Sequence, residues 1–353
     1  MKDQDVYANK PKVSVIIPTY NCGLYIGEAI RSVFGQTYAN HETIVVDDGS
    51  TDDTQAMLAP YRERITYLYQ ENQGVVAARN LGIRQARGEV IAFLDSDDVW
   101  NPTKLLLQIE AFAQYTKAGF SFTNYLEFDE AGVIKQSRFD ERVHRWLDEN
   151  GDGGTELVCG WIYRELLQGN YMHTSSVLVK SDVLEEVGLF DESFKVCQDH
   201  DLWLRIAQKF RVVCVNRVVC GYRYRREGLS GSAESRIFRW NKDSLRVLEK
   251  HLRNDSIPRE LRSFVKGVMS RLCWSVGWTY FSWNRFKEAR RLLIKGIRYR
   301  PLRGWYWIFW GTSFLPVRAI EKIRFIKRRL SVFEGVAPVG NVRPTNSSHP
   351  EGR

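Results

Sequence analysis

Asp95, Asp97 and Asp98 fall within four positions at the end of one apolar run, VIAFLDSDDVW, from Val90 to Trp100. Runs of this kind read as buried strands. Carboxylates this close repel one another unless a cation lies among them. Hard oxygen ligands suit Mg²⁺ or Mn²⁺, and Mg²⁺ characteristically binds through one or two carboxylates plus phosphate oxygens. The cluster therefore points to a divalent cation holding a nucleoside diphosphate. The competing structural role, capping a helix begun by VWNPTKLLLQIEAF, accounts for one acid and not for three. A second acidic group, QDHDLW, carries Asp199 and Asp201. Asp201 opens the amphipathic stretch DLWLRIAQKF and is expected to be its N-terminal cap, which leaves Asp199, just ahead of it in a loop, free to face a ligand.

These groups need a scaffold, and the first hundred residues alternate between two periods. VSVIIP, TIVVDD, ITYLYQ and VIAFLD read as strands; LYIGEAIRSVF, TDDTQAMLAPY (with Thr51 as cap) and GVVAARNLGIRQA read as helices. Such alternation implies a parallel, doubly wound sheet, with ligands outside the carboxyl ends of the strands. The polar clusters PTYN, DDGSTD and DSDD stand at those ends. Between 120 and 225 the pattern is mixed: FSFTNYLEF, SSVLVK and VVCVNRVVCGYRYR are strand-like. Beyond 232 it turns helical, and Trp274, Gly277, Tyr280, Ala289 and Pro301 echo one tetratricopeptide-like helical hairpin.

The order VSVIIPTYN, VVDDGSTD, NQGVVAARNLGI, GEVIAFLDSDDVW, GLFDESF and QDHDLWLRIA resembles that of a family 2 glycosyltransferase of the GT-A fold, over roughly residues 12–225. The resemblance implies a Rossmann-like, mostly parallel doubly wound sheet followed by a helical region. It implies an inverting transfer of sugar from a nucleotide-diphosphate sugar, UDP being the expected nucleotide, with Mg²⁺ or Mn²⁺. By resemblance Pro18 and Tyr20 line the base pocket, Asp48 hydrogen-bonds the base, and Arg79 lies near the diphosphate. Asp95 and Ser96 lie near ribose and metal, Asp97 is the metal ligand together with Asp95, and Asp199 is the catalytic base. Gln198 stands where the family more often has Glu. The chemistry is consistent: a Lewis acid stabilises the leaving diphosphate, and a carboxylate within hydrogen-bond reach deprotonates the acceptor hydroxyl. Asp47 and Asp52 are expected in turn and cap roles and Trp203 in the core. His173 is balanced between ligand contact and structure, and His200 sits beside the base within conceivable reach of the metal.

With 353 residues, 44% hydrophobic and 26% charged, the chain is expected to pack a core. Its six cysteines form no C-x-x-C pair, so neither a zinc site nor a redox motif is expected. The charged N-terminal stretch has no signal-like apolar core, and no run reaches the length of a spanning helix. Net charge is +9, concentrated between Lys287 and Leu330, where thirteen Lys or Arg face two acids. Trp305, Trp307 and Trp310 lie among those arginines. Ile320, Ile323, Ile326 and Leu330 lie mostly opposite Arg318, Lys322, Arg328 and Arg329. That pattern suits a membrane interface. The expected layout is a tail (1–11), a catalytic domain (12–231), a helical region (232–300), a basic aromatic segment (301–335) and a disordered tail (336–353). The expected place is cytoplasmic, peripheral on the inner face of the membrane, acting on a saccharide or lipid-linked saccharide and not on nucleic acid. The rival readings are a nucleotidyltransferase, which should carry a Gly-rich basic phosphate loop where PTYNCGLY stands, and a non-catalytic membrane scaffold of the same fold.

Overall fold

A computed structural model of the chain describes residues 10–151, 156–225, 233–253 and 257–315. Ten strands form its sheet: β1 (Val13–Thr19), β2 (His41–Asp47), β3 (Thr66–Tyr69), β4 (Val90–Phe93), β5 (Val99–Trp100), β6 (Ala118–Asp129), β7 (Gly132–Lys135), β8 (Leu157–Gly160), β9 (Leu178–Lys180) and β10 (Arg211–Arg223). They run β3-β2-β1-β4-β9-β6-β10-β5, with β7 paired to β6 and β8 to β10. The half containing β3, β2, β1 and β4 is parallel throughout. Beyond β4 the sheet is mixed: β9 is antiparallel to both β4 and β6, β10 runs parallel to β6, and β5 and β8 add antiparallel edges to β10.

Eight helices accompany this sheet before the first gap that precedes the long helices: α1 (Gly23–Phe34), α2 (Thr54–Leu58), α3 (Val75–Gln85), α4 (Lys104–Gln114), α5 (Glu141–Asn150), α6 (Tyr163–Leu166), α7 (Ser181–Val187) and α8 (Gln198–Ala207). Four more follow: α9 (Ala233–Arg253), α10 (Arg259–Ser282), α11 (Phe286–Tyr299) and α12 (Gly304–Thr312). The β-branched run of β1 is buried at every position, as a central strand covered on both faces must be. Its close cover is α3, at Gly82: a Cβ there would lie 2.5 Å from Ile16 Cγ2. α2 begins at Thr54, not after Thr51. The Asp52 carboxylate accepts from Thr54 N and Gly23 N, so one acid starts two helices.

The chain divides into two compact units, at residues 272 and 273. α9 belongs to the first unit, although its periodicity assigns it to the later helices. Its Lys250 pairs with Asp191 and Asp201, and its Ser244 meets Cys197. Within the second unit, α11 and α12 enclose Leu293, Ile297 and Tyr306. Trp274 and Phe309 meet edge to face at 5.0 Å. Gly277 lies against Leu292 and Leu293. Among the described residues no helix is long and apolar enough to cross a membrane. Residues 316–353, with the Ile320–Leu330 stripe and the expected tail, lie outside the described residues.

Candidate active site

β4 ends at Phe93, and the chain leaves the sheet through a tight turn in which Asp98 N donates to Asp95 O at 3.0 Å. It re-enters as β5 against β10, and α4 starts only at Lys104. Neither Asp97 nor Asp98 is therefore a helix cap. The three acids point to different partners. Asp98 turns inward. Its Oδ2 accepts from Ser175 Oγ and lies against His173 Nε2, both at 2.5 Å, and its Oδ1 accepts from Arg223 N at 3.0 Å. Asp95 pairs with Arg79 Nη2 at 2.5 Å, and its N–H donates to Ser175 Oγ at 3.0 Å. Asp97 pairs with Arg225 Nε at 2.7 Å, and its carbonyl accepts from Arg223 Nε. Ser96, between them, is buried.

The electrostatics follow from this crowding. Burial works against the charge of Asp95, but Arg79 and His173 hold its carboxyl below the ordinary range. Burial and the neighbouring Asp98 push Asp97 up to about 6, with Arg225 opposing. Burial lowers His173, but the Asp98 carboxylate more than offsets this and raises it. One ligand atom from each of Asp95, Asp98 and His173 lies within 4.8 Å of the others. Asp98 is already bonded on both oxygens and is almost wholly buried, whereas the Asp95 and Asp97 side chains are 26% and 20% exposed. Asp97 lies outside that group. Two partly exposed carboxylates on one turn, each paired with an arginine and backed by a third that is satisfied, are a donor type that suits a hard divalent cation.

Asp199 lies in the first turn of α8, not in the loop before it. Its Oδ2 accepts from Asn170 Nδ2 at 2.7 Å and is 3.5 Å from Thr174 Oγ1; its Oδ1 accepts from His200 N. Residues 170–175 thus reach both acidic groups. Asn170 and Thr174 hold Asp199, while His173 and Ser175 hold the Asp95–Asp98 turn. Cys197, at the head of α8, adopts a left-handed φ of 61° and supplies no side-chain cap. Asp201 is not that cap either. It is buried inside α8 and joined to Arg205 at 3.0 Å and to Lys250 at 2.8 Å, with His251 at 3.4 Å. His200 bonds the Leu166 carbonyl through Nε2 at 2.7 Å and takes no part in the acid cluster. Trp203 stacks on Phe120 in the core, as its apolar surroundings anticipate.

Arg79 projects from α3 and is only 3% exposed. One guanidinium nitrogen serves Asp95; Nε and Nη1 are buried with no hydrogen-bond partner among the described residues. Buried donors of this kind are costly unless something accepts from them. Asp48 is buried at the end of β2, where its carboxylate accepts from Gln70 Nε2, Gln73 N and Gly74 N and thereby shapes the start of α3. Asp47 accepts from Ser50 N and Tyr67 Oη, the turn role expected of it. Pro18 is buried at the end of β1, and Tyr20 beyond it is 50% exposed. The residues that sequence reasoning passed over are Ser175, Asn170 and the pair Arg223 and Arg225. The pair had a signal, since RYR at a strand end puts two arginines on one face. Nothing local in the sequence singles out Ser175 or Asn170.

The "Glycosyl transferase family 2" model matches residues 14–170. A glycosyltransferase of Rickettsia prowazekii is 35% identical over 212 residues, 59% of this chain and 61% of that protein. TuaG of Bacillus subtilis, named for teichuronic acid biosynthesis, is 32% identical over 228 residues, 63% of this chain and 83% of TuaG. The chain spans about 60% of the length of the first two Rickettsia relatives that it matches. Among solved structures, residues 1–349 of TarS from S. aureus share 20% identity at a TM-score of 0.52, covering 82% of this chain and 81% of that one. The mannosyltransferase PcManGT of Pyrobaculum calidifontis shares 17% at 0.55, covering 93% and 82%. Both likenesses concern the fold, which is GT-A. The match to TuaG across most of its length, together with the family model over the strands that carry the acids, shows that the chain belongs to glycosyl transferase family 2.

Proposed function

We propose that the protein is an inverting glycosyltransferase that moves a sugar from a nucleoside-diphosphate sugar, with UDP as the first candidate, to a hydroxyl of a saccharide or lipid-linked saccharide in cell-surface polysaccharide or glycolipid assembly. The observation that carries this reading is the segment 170–175. It bonds to Asp199 through Asn170 and to the Asp95–Asp98 turn through His173 and Ser175, so it ties that carboxylate to the turn proposed to hold the cation. In this reading Pro18 and Tyr20 flank the base, Asp48 accepts from its edge, and Asp95 and Ser96 face the ribose. Arg79 offers its unpaired Nε and Nη1 to the diphosphate. Asp97 and Asp95 would hold Mg²⁺ or Mn²⁺, which would supply Lewis-acid stabilisation of the leaving group. Asp199 takes the acceptor proton as the acceptor oxygen bonds to the anomeric carbon and the bond to the diphosphate breaks. Complexes of TarS with UDP-GlcNAc and of PcManGT with GDP-Man and Mn²⁺ support the donor class. TuaG and an E. coli chondroitin synthase support a polysaccharide context.

The reading includes a cytoplasmic enzyme held at the inner membrane surface. Its support is the second unit, where Trp307, Ile308, Phe314 and Leu315 are exposed apolar residues close in sequence to Arg298, Arg300 and Arg303. Calorimetric titration tests the site. UDP should bind with Mn²⁺ and lose that dependence in Asp97→Asn; wild-type affinity in this variant rules out Asp97 as principal ligand. A panel of sugar nucleotides in a thermal-shift assay identifies the donor, and failure of every member to shift the wild type sinks the donor reading.

A further inference from the structure

Arg223 and Arg225 leave β10 two residues apart, yet they are held differently. Arg223 is nearly buried. Its Nη2 pairs with Glu28 at 2.5 Å, its Nε donates to the Asp97 carbonyl at 2.9 Å, and its guanidinium lies over the rings of Tyr25 and Phe128 at 4.7 and 4.5 Å. Arg225 has a side chain 33% exposed. Its one ion pair among the described residues is with Asp97 Oδ2 at 2.7 Å, and the Tyr25 ring is 5.4 Å away. The first arginine is built into the turn; the second is attached mainly through the carboxylate.

That carboxylate is the one assigned to the cation, so this inference rests on the function proposed above. A cation held by Asp97 would compete for the same charge with the guanidinium at 2.7 Å. We propose that Arg225 is a displaceable counter-ion. It neutralises Asp97 while no donor is bound, yields it to the divalent cation as the donor enters, and then binds the incoming diphosphate. The competition for Asp97 favours a movement of this kind. With no metal, three carboxylates share the turn with the guanidinium groups of Arg79 and Arg225. A divalent cation leaves Arg225 in surplus there, and the diphosphate brings new negative charge for which a planar guanidinium is a matched donor. Arg79, fixed on Asp95 with Nε and Nη1 unpaired among the described residues, grips the donor from the α3 side, and Arg225 binds it from the β10 side.

The test uses the full chain with Arg225→Met and Arg225→Lys. Mn²⁺ alone is titrated by electron paramagnetic resonance of the free ion, and UDP is titrated calorimetrically at saturating Mn²⁺. Arg225→Met should bind Mn²⁺ alone about tenfold tighter and UDP about tenfold weaker, the opposite signs expected when one charge competes with the metal and assists the phosphate. Arg225→Lys keeps the charge but not the fork. It should stay near wild type for Mn²⁺, with UDP between the other two. Unchanged or weaker Mn²⁺ binding in Arg225→Met overturns the proposal, as does unchanged UDP affinity. Wild-type Mn²⁺ binding that survives in Asp97→Asn sinks the assignment of Asp97 beneath it. Binding lost in Asp97→Asn but unmoved in Arg225→Met sinks this proposal alone. A wild type that binds no Mn²⁺ overturns both.

Discussion

The Asp199 carboxylate and the Asn170 amide lie 2.7 Å apart, across 29 residues of chain. This bond orients the proposed base without neutralising it, because an amide donor carries no charge. It ties Asp199 to the segment whose next residues hold the acid cluster, so the proposed base and the proposed cation site share one support.

Asp199→Asn should therefore leave nucleotide affinity near wild type and lower turnover by about two to four orders of magnitude, the range for a lost general base. Asp201→Asn should do the reverse. Asp201 is buried against Arg205 and Lys250, so its neutral replacement should lower stability by about 2–3 kcal/mol, at the low end for a buried ion pair because Lys250 keeps some solvent. Turnover per folded molecule should change little. Urea unfolding alongside steady-state kinetics at 20 °C or below separates the two effects; a dead but stable Asp201→Asn reverses the assignment of the base.

Ser175→Ala removes one hydroxyl that bonds both the Asp95 amide and the Asp98 carboxylate. The variant should lose about 1–3 kcal/mol of stability. It should also weaken Mn²⁺-dependent UDP binding several-fold, because the turn carrying Asp95 and Asp97 loses its anchor. Unchanged nucleotide affinity would mean that Asp98 and the backbone hold the turn without the hydroxyl.

Lys104 provides a pH test that is remote from the metal chemistry. Its amine is fully buried, 2.7 Å from Gln108 Oε1 and 4.2 Å from the centre of the Trp100 ring, and burial lowers its pKa from 10.5 to about 7. Below about pH 7 both folded and unfolded chains carry this proton, and the folded state bears the full cost of a buried charge. Between about 7 and 10.5 the unfolded chain binds more protons, so stability rises with pH, by up to about 1.4 kcal/mol per unit. Lys104→Met should be more stable than wild type at pH 6.5 by about 2 kcal/mol and should lose that slope. Parallel unfolding curves for the two proteins across pH 6.5–9 would refute the depressed pKa.

The membrane reading predicts that vesicles containing phosphatidylglycerol carry the full-length protein in flotation and that the double change Trp307→Ala and Phe314→Ala reduces this several-fold while donor hydrolysis persists. Both side chains are exposed, so the fold should tolerate their loss. Raising the salt to about 0.5 M should release part of the protein by screening the arginines. If the wild type stays with the soluble fraction on anionic vesicles, the exposed aromatics have another purpose.

What the sequence determined by itself is local. β-branched runs ending in PTYN, DDGSTD and DSDD specify buried strands with polar carboxyl ends, and those strands form the parallel half of the sheet. The acids, Arg79 and the DLWLRIAQKF helix were legible because periodicity and composition act within a few residues, although that helix begins earlier, at Gln198, and takes in Asp199. Tertiary structure decided how the acids divide. Asp98 turns inward to His173, Ser175 and an amide 125 residues away, leaving Asp95 and Asp97 toward solvent. It also made Asp201 a buried anchor for α9, not a cap, and brought Arg225 onto Asp97. Neighbouring carboxylates in a sequence are chemically alike. Only the distant strands and helices that pack around them determine which is buried and neutralised and which remains available to bind a cation or accept a proton.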